Sequence, residues 1–123
     1  MLETQPIQQK RLAVLEDTCQ YFNLSKRNVI GRRCLYYPVN ESTEGCAVGR
    51  LIKDKDLCST LDNKVGTTVD IIFILLPKEL QELGKQFLVD LQNLHDDKDC
   101  WTETGLSEEG FYQKRFIVDK HCS

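Results

Sequence analysis

Long apolar runs are the first thing missing from this sequence. The longest uninterrupted aliphatic–aromatic stretch is Ile71 to Leu76. A membrane helix needs roughly 20 such residues, so no membrane span is expected. Leu2 to Arg11 is mostly polar and does not resemble a secretory signal. The expectation is a soluble, cytoplasmic protein. A basic excess is also missing, since the net charge is −3 and the pI about 5.4. Constitutive nucleic-acid binders carry the opposite balance, so such binding is expected to be weak or absent.

Several chemical signatures are absent too. There is no Cys-x-x-Cys. Gly45 and Gly49 are not followed by the Lys-Ser/Thr pair that a phosphate loop uses. No paired-carboxylate, His-Glu-x-x-His or nucleophile-elbow pattern occurs. Histidine is limited to two residues, His95 and His121, and His121 lies in a tail expected to fray. Neither an internal repeat nor a linker interrupts the chain, so residues 1–123 are read as a single domain. No cofactor is expected.

What is present is a 41% apolar share and six cysteines. Three disulfides are possible in principle. Without a secretion signal, and with enough apolar residues for a core, reduced thiols are the expectation. Asn23-Leu-Ser and Asn40-Glu-Ser match the glycosylation sequon by chance and are read as loop asparagines.

The periodicity then assigns elements. Leu12, Leu15, Cys19 and Phe22 recur at steps of three and four, which predicts a helix over 6–22. Leu35-Tyr-Tyr-Pro, a polar Asn40 to Gly45, and an apolar Ala47 to Ile52 predict a β-hairpin over 34–52. A helix starting at Cys46 is the competing reading, because so short a window does not decide. Gly49 signals a bulge or a close backbone approach. A short helix is expected over 56–61 and a turn over 63–66. Residues 68–76 stay open: β-branched residues suggest a buried strand, while Thr67 and Asp70 fit a helix start. Leu80, Leu83, Phe87, Leu91 and Leu94 predict one helix over 78–95, with Gly84 marking a close packing partner. Trp101 to Gly105 reads as loop. Ser107 is a candidate N-cap for a last helix, with Phe111, Tyr112, Phe116 and Val118 on its buried side. The resulting fold class is α+β: three to four helices around one small antiparallel hairpin or sheet.

Candidate chemistry centres on Cys46 and on His95, which closes the long helix beside Asp96. Cys46 as nucleophile, His95 as base and Asp96 or Asp99 as orienting acid would make a thiol hydrolase, although no hydrolase signature surrounds Cys46. Cys34, Cys46, His95 and Cys100 together would make a tetrahedral zinc site, although their spacings are irregular and no metal is assigned. Inert core thiols, and a histidine that packs or complements the helix dipole, explain the same residues without chemistry. Lys26, Arg27, Arg32 and Arg33 form a basic loop. It is either a solvated face or a weak anion site, and Arg32, Arg33, Arg50 and Trp101 are the candidate binding residues.

Arg33-Cys-Leu-Tyr, Gly45-Cys-Ala-Val-Gly-Arg-Leu-Ile, Phe87-Leu-x-x-Leu-Gln-x-Leu-His-Asp, Trp101 and Gly105-Leu-Ser together resemble a group of small uncharacterised bacterial and phage proteins. The resemblance spans about residues 10–118. It implies a bacterial or phage source, carries no activity, and marks Cys46, Gly49, Arg50, His95 and Asp96. An isolated two-stranded ribbon is marginal, so the hairpin is expected to pack on the 78–95 helix through Cys46, Val48 and Leu51 or Ile52. Arg50 is expected to pair there with Asp96 or Asp97. The functional expectation is a non-catalytic protein that binds another protein.

Overall fold

In the computed structural model, residues 6–30, 33–40, 43–63 and 68–123 are described; Ile30, Arg33 and Cys34 are described in backbone only. Helix α1 spans Ile7–Tyr21, and the Pro6 carbonyl accepts from the amides of Gln9 and Lys10. Leu15 and Phe22 are buried, and Leu12 and Cys19 half-buried, as the stripe predicted. The chain then turns through Asn23, whose side chain accepts from the Lys26 amide.

The first strands pair upstream of the expected hairpin. β1 (Val29–Ile30) and β2 (Arg33–Cys34) are antiparallel, with Val29 opposite Cys34 and Ile30 opposite Arg33. Residues 35–37 follow β2 but form no ladder, because side chains take up their backbone groups. Asp62 accepts from the amides of Tyr36 and Tyr37 at 2.8 and 2.9 Å. Asn28 donates to the carbonyls of Leu35 and Tyr37. The second half of the expected hairpin is helix α2, Ala47–Leu51, so the competing helical reading of this segment is the correct one. Gly49 does mark a close approach. A methyl there would lie 2.6 Å from Tyr36 Cα and 2.7 Å from its carbonyl carbon.

α3 (Lys55–Asp62) is capped by the Asp54 carboxylate; of the turn expected after it, residues 64–66 lie outside the described residues. α4 (Val69–Ile72) and a 3-10 turn (Phe73–Leu75) settle the open segment as helical. The long helix expected over 78–95 is two helices, α5 (Lys78–Gln81) and α6 (Lys85–Asp96). The break is Gly84, whose φ of 95° lies where only glycine sits easily. Arg11 Nε donates to the Leu83 carbonyl at 2.8 Å, which the break leaves without a helical partner. The Arg11 guanidinium is the neighbour a Gly84 methyl would meet. The buried stripe continues across the break through Leu80, Leu83, Phe87, Leu88, Leu91 and Leu94.

A 3-10 turn (Lys98–Cys100) leads into a second antiparallel pair, β3 (Trp101–Thr102) and β4 (Gly105–Leu106), where loop was expected. α7 (Glu108–His121) starts at Ser107, whose hydroxyl accepts from the Gly110 amide. Its inward side is Gly110, Ile117 and His121; of the residues expected on the buried side, Val118 packs against the core, while Phe111, Tyr112 and Phe116 are exposed. One apolar cluster draws residues from every one of these helices, and α6 packs against α2, α4 and α7. The fold is therefore α+β and mostly helical, with seven α-helices among the described residues instead of three or four. Among those residues no helix is long and apolar enough to cross a membrane.

Candidate functional site

His95, Asp96 and Gln92 of α6 form a joint with Arg27, Asn28 and the first turn of α2. Asn28 is its hub and is fully buried. Its amide donates to His95 Nε2 at 3.1 Å. Its side-chain oxygen accepts from the Val39 amide and from Thr43 Oγ1. With the two bonds to Leu35 and Tyr37, the whole donor and acceptor capacity of the side-chain amide is used.

His95 has no exposure. Because Nε2 accepts from a backbone amide, the proton sits on Nδ1, which donates to Asp96 Oδ1 at 2.8 Å. Burial pushes its pKa down, and the Asp96 carboxylate only partly opposes this. The imidazole is therefore neutral. Its position in the last turn of α6 is a matter of packing and hydrogen bonding; dipole complementation would need the cation. Phe22 packs edge-on at 4.8 Å between ring centres. Asp96 also accepts from Gln92 Nε2 at 2.8 Å, and Gln92 Oε1 accepts from the Val48 amide at 3.0 Å. Gln92 thus satisfies a first-turn amide of α2 that has no helical partner.

This geometry bears on each candidate. The segment carrying Cys46 and Val48 does pack on α6, but through Gln92. His95 spends both ring nitrogens on Asn28 and Asp96, leaving neither for the buried Cys46 thiol. A base for Cys46 would therefore require breaking the Asn28 contact. Arg50 does not reach Asp96 or Asp97. Its Nη1 pairs with Asp17 of α1, its Nε with Glu44 at 3.1 Å, and its guanidinium lies 4.0 Å from the Tyr21 ring centre. The arginine at the end of α6 is Arg27, which donates to the carbonyls of His95 and Asp96 at 2.8 and 2.6 Å. Arg27 is thereby removed from the expected basic loop. Arg32 and the Arg33 side chain lie outside the described residues. Trp101 is a core residue, buried, with Nε1 donating to the Leu94 carbonyl at 2.9 Å.

Cys19, Cys46, Cys58, Cys100 and Cys122 are thiols. Burial pushes Cys19 up to about 11 and Cys100 up to about 12, with Lys114 opposing the shift at Cys19 and Asp97 adding to it at Cys100. Such thiols are poor nucleophiles at neutral pH. Among the described residues no group of three or more His, Cys, Asp or Glu side chains is arranged to hold a metal. The Cys34 side chain of the zinc set is outside them.

The other histidine does not fray. His121 is buried and its Nε2 donates to Asp90 Oδ2 at 2.7 Å. Burial alone would raise the Asp90 pKa, but hydrogen bonds from His121, Lys120 and Gln86 hold it below the ordinary carboxylate value. Periodicity gave no signal for Asn28, Gln92, Asp62 or Asp90, since each is polar and outside the apolar stripes.

Apolar side chains left on the outside form the remaining feature. Ile71, Ile74 and Leu75 are exposed at 58%, 80% and 44%. Their spacing puts them on one side of α4 and its 3-10 extension. Gln81 Nε2 donates to the carbonyls of Ile74 and Leu76, and Lys85 pairs with Asp70, so both ends of the segment are tied down. No protein-family model, curated protein or solved structure matches this chain.

Proposed function

We propose that this protein acts by binding another protein and turns over no substrate. The observation that carries the reading is the exposed row Ile71, Ile74 and Leu75. Fully burying an aliphatic side chain of this size is worth about 1.5–3 kcal/mol, a gain folding has left unused here. Grouped exposed apolar side chains mark interaction sites more often than scattered ones do. The braces from Gln81 and Lys85 hold the row in place before any partner arrives, which lowers the ordering cost of binding. The partner is taken to be a cytoplasmic protein, in the bacterial or phage setting that the resemblance implies.

A photo-crosslinking residue at position 74 tests this in cells of the source. The expected result is one discrete adduct, lost when Ile71 and Leu75 are changed to Ser. Adducts no more specific than those from the exposed control position Lys53 would overturn the reading. So would turnover of a peptide, ester or nucleotide that disappeared in Cys46→Ala.

A further inference from the structure

The outer side of α7 carries a second exposed surface with a different character. Glu108, Tyr112, Phe116 and Lys120 follow one another at steps of four and are all exposed. Residues four apart form a continuous ridge on a helix. This ridge has an acid at its N-terminal end, two aromatic rings in the middle, and a base at its C-terminal end. Read backwards, it complements itself: acid meets base at each end and ring meets ring between. Acid at the start and base at the end also suit the helix dipole of an isolated helix. That account leaves unexplained two aromatic rings, 65% and 54% exposed, held between the charges.

We propose that this face is the contact of a two-fold homodimer. The ridge Glu108, Tyr112, Phe116, Lys120 of one copy lies antiparallel against the same ridge of a second copy. Packing such ridges together is the commonest helix–helix geometry, with axes inclined by about 50°. A two-fold axis between Tyr112 and Phe116 brings Tyr112 of each copy against Phe116 of the other, and Glu108 of each against Lys120 of the other. An isologous contact of this kind closes on itself and cannot propagate into a fibre. Lys120 Nζ already reaches Asp90 at 3.2 Å, and lies 5.4 Å from the Phe116 ring centre. An ammonium has three donors, so Lys120 has capacity left for Glu108 of a partner copy. The opposing signs on the ridge also argue against nucleic acid as its occupant, which would want a base-rich face.

The ridge is about 18 Å long, so the contact is smaller than the roughly 800 Å² per partner of a standard interface. The dimer is accordingly weak, assembling in the range of about 10 µM to about 1 mM. It uses none of Ile71, Ile74 or Leu75, and so stands or falls independently of the partner-binding reading.

Sedimentation equilibrium of the full chain across that range is the test. The apparent mass should rise from 14.2 kDa toward twice that value. Glu108→Lys and Lys120→Glu should each weaken association at least tenfold, because each puts like charges at both ends of the contact. An equimolar mixture of the two variants should restore the dimer, since one charge pair is then native and the other is re-formed with its signs exchanged. If Lys120→Glu fails to fold beside Asp90, the double variant Tyr112→Ser, Phe116→Ser decides. It should be monomeric with an unchanged melting temperature. A wild-type chain still monomeric near 1 mM overturns the proposal. So does a well-folded mixture that stays monomeric, or a dimer indifferent to loss of both rings.

Discussion

Gly49→Ala is the substitution that most directly probes how the marked segments fit. On helix propensity alone it should stabilise α2 by up to about 1 kcal/mol. The structure opposes this. The added methyl would run into the Tyr36 carbonyl oxygen, and would lie 2.6 Å from its Cα. Ordinary contact needs about 3.5–4.0 Å between carbons, so one of the two backbones must move by roughly an ångström. Tyr36 cannot move cheaply. Its amide and that of Tyr37 are held by Asp62, the flanking carbonyls by Asn28, and the Leu35 carbonyl also accepts from the Cys46 amide at 2.9 Å.

Overpacking of a fixed site costs about 1–3 kcal/mol. Weakening one of the carboxylate-bound amide contacts adds about 1.5–3 kcal/mol. Against the propensity gain, the net loss should be about 1.5–5 kcal/mol. For a chain of this size, that lowers the melting temperature by about 5–20 °C. Far-UV circular dichroism during thermal or urea unfolding reads it. A double-mutant cycle with Asp62→Ala adds a check on mechanism. If the methyl acts by displacing Tyr36 from Asp62, the two losses should be clearly less than additive. A Gly49→Ala protein as stable as the parent, or more so, would refute the close-approach argument.

Three further outcomes are expected. Stability should be at its full value above about pH 6.5 and fall below it by up to about 1.4 kcal/mol per pH unit, because the unfolded chain protonates His95 before the folded one does; an equal slope in His95→Gln would remove His95 as the cause. Asn28→Asp should cost at least about 3 kcal/mol by stripping the donors to Leu35 and Tyr37 and placing a charge beside their carbonyls, and a urea midpoint within error of the parent would show the hub is dispensable. Arg50→Ala should cost only about 1–2 kcal/mol, because Asp17 and Glu44 remain hydrated when released and the Tyr21 stacking is modest; thermal melts showing no loss, even at low salt, would contradict its role between α1 and α2.

The elements readable from sequence were those fixed by local rules. α1 and the Ser107 cap of α7 follow from apolar spacing and cap chemistry. The stripe from Leu80 to Leu94 is correct residue by residue. Its interruption at Gly84 was hidden because the positive φ resets the helix while keeping the same residues inward. The expected face of α7 holds at Val118 but not at Phe111, Tyr112 and Phe116, for a related reason. Its buried positions, Gly110, Ile117 and His121, recur at steps of seven and four, but two of the three are not scored as apolar. The aromatic residues beside them therefore captured the reading. The hairpin expected over 34–52 failed on long-range grounds. Nothing local to Leu35–Tyr37 shows that Asn28 and Asp62 will claim its backbone groups. Arg50 was likewise given the wrong acids, since its true partners lie in the first helix and in the polar turn just before it.

The segments Gly45–Ile52 and Phe87–Asp96 are joined by side-chain contacts. Gln92, His95 and Asp96 stand on α6 at the spacing of one helical turn, and their polar atoms link to one another. Gln92 reaches across to the first turn of α2, whose Gly49 in turn lets the Tyr36 backbone lie against the helix. His95 reaches back to Asn28, which holds the carbonyls of Leu35 and Tyr37 on either side of Tyr36. The three contacts close a ring through α6, α2, Asn28 and residues 35–37. Apolar burial alone would allow these pieces to slide against one another, because hydrophobic contact is not directional. A fully satisfied polar ring allows one register, since any shift leaves buried donors or acceptors without partners at about 1–3 kcal/mol each. On this argument the Cys-Ala-Val-Gly-Arg and Leu-Gln-x-Leu-His-Asp segments specify the fold. The residues free to vary without breaking the ring are those on the outer faces of α4 and α7, and it is there that binding is proposed.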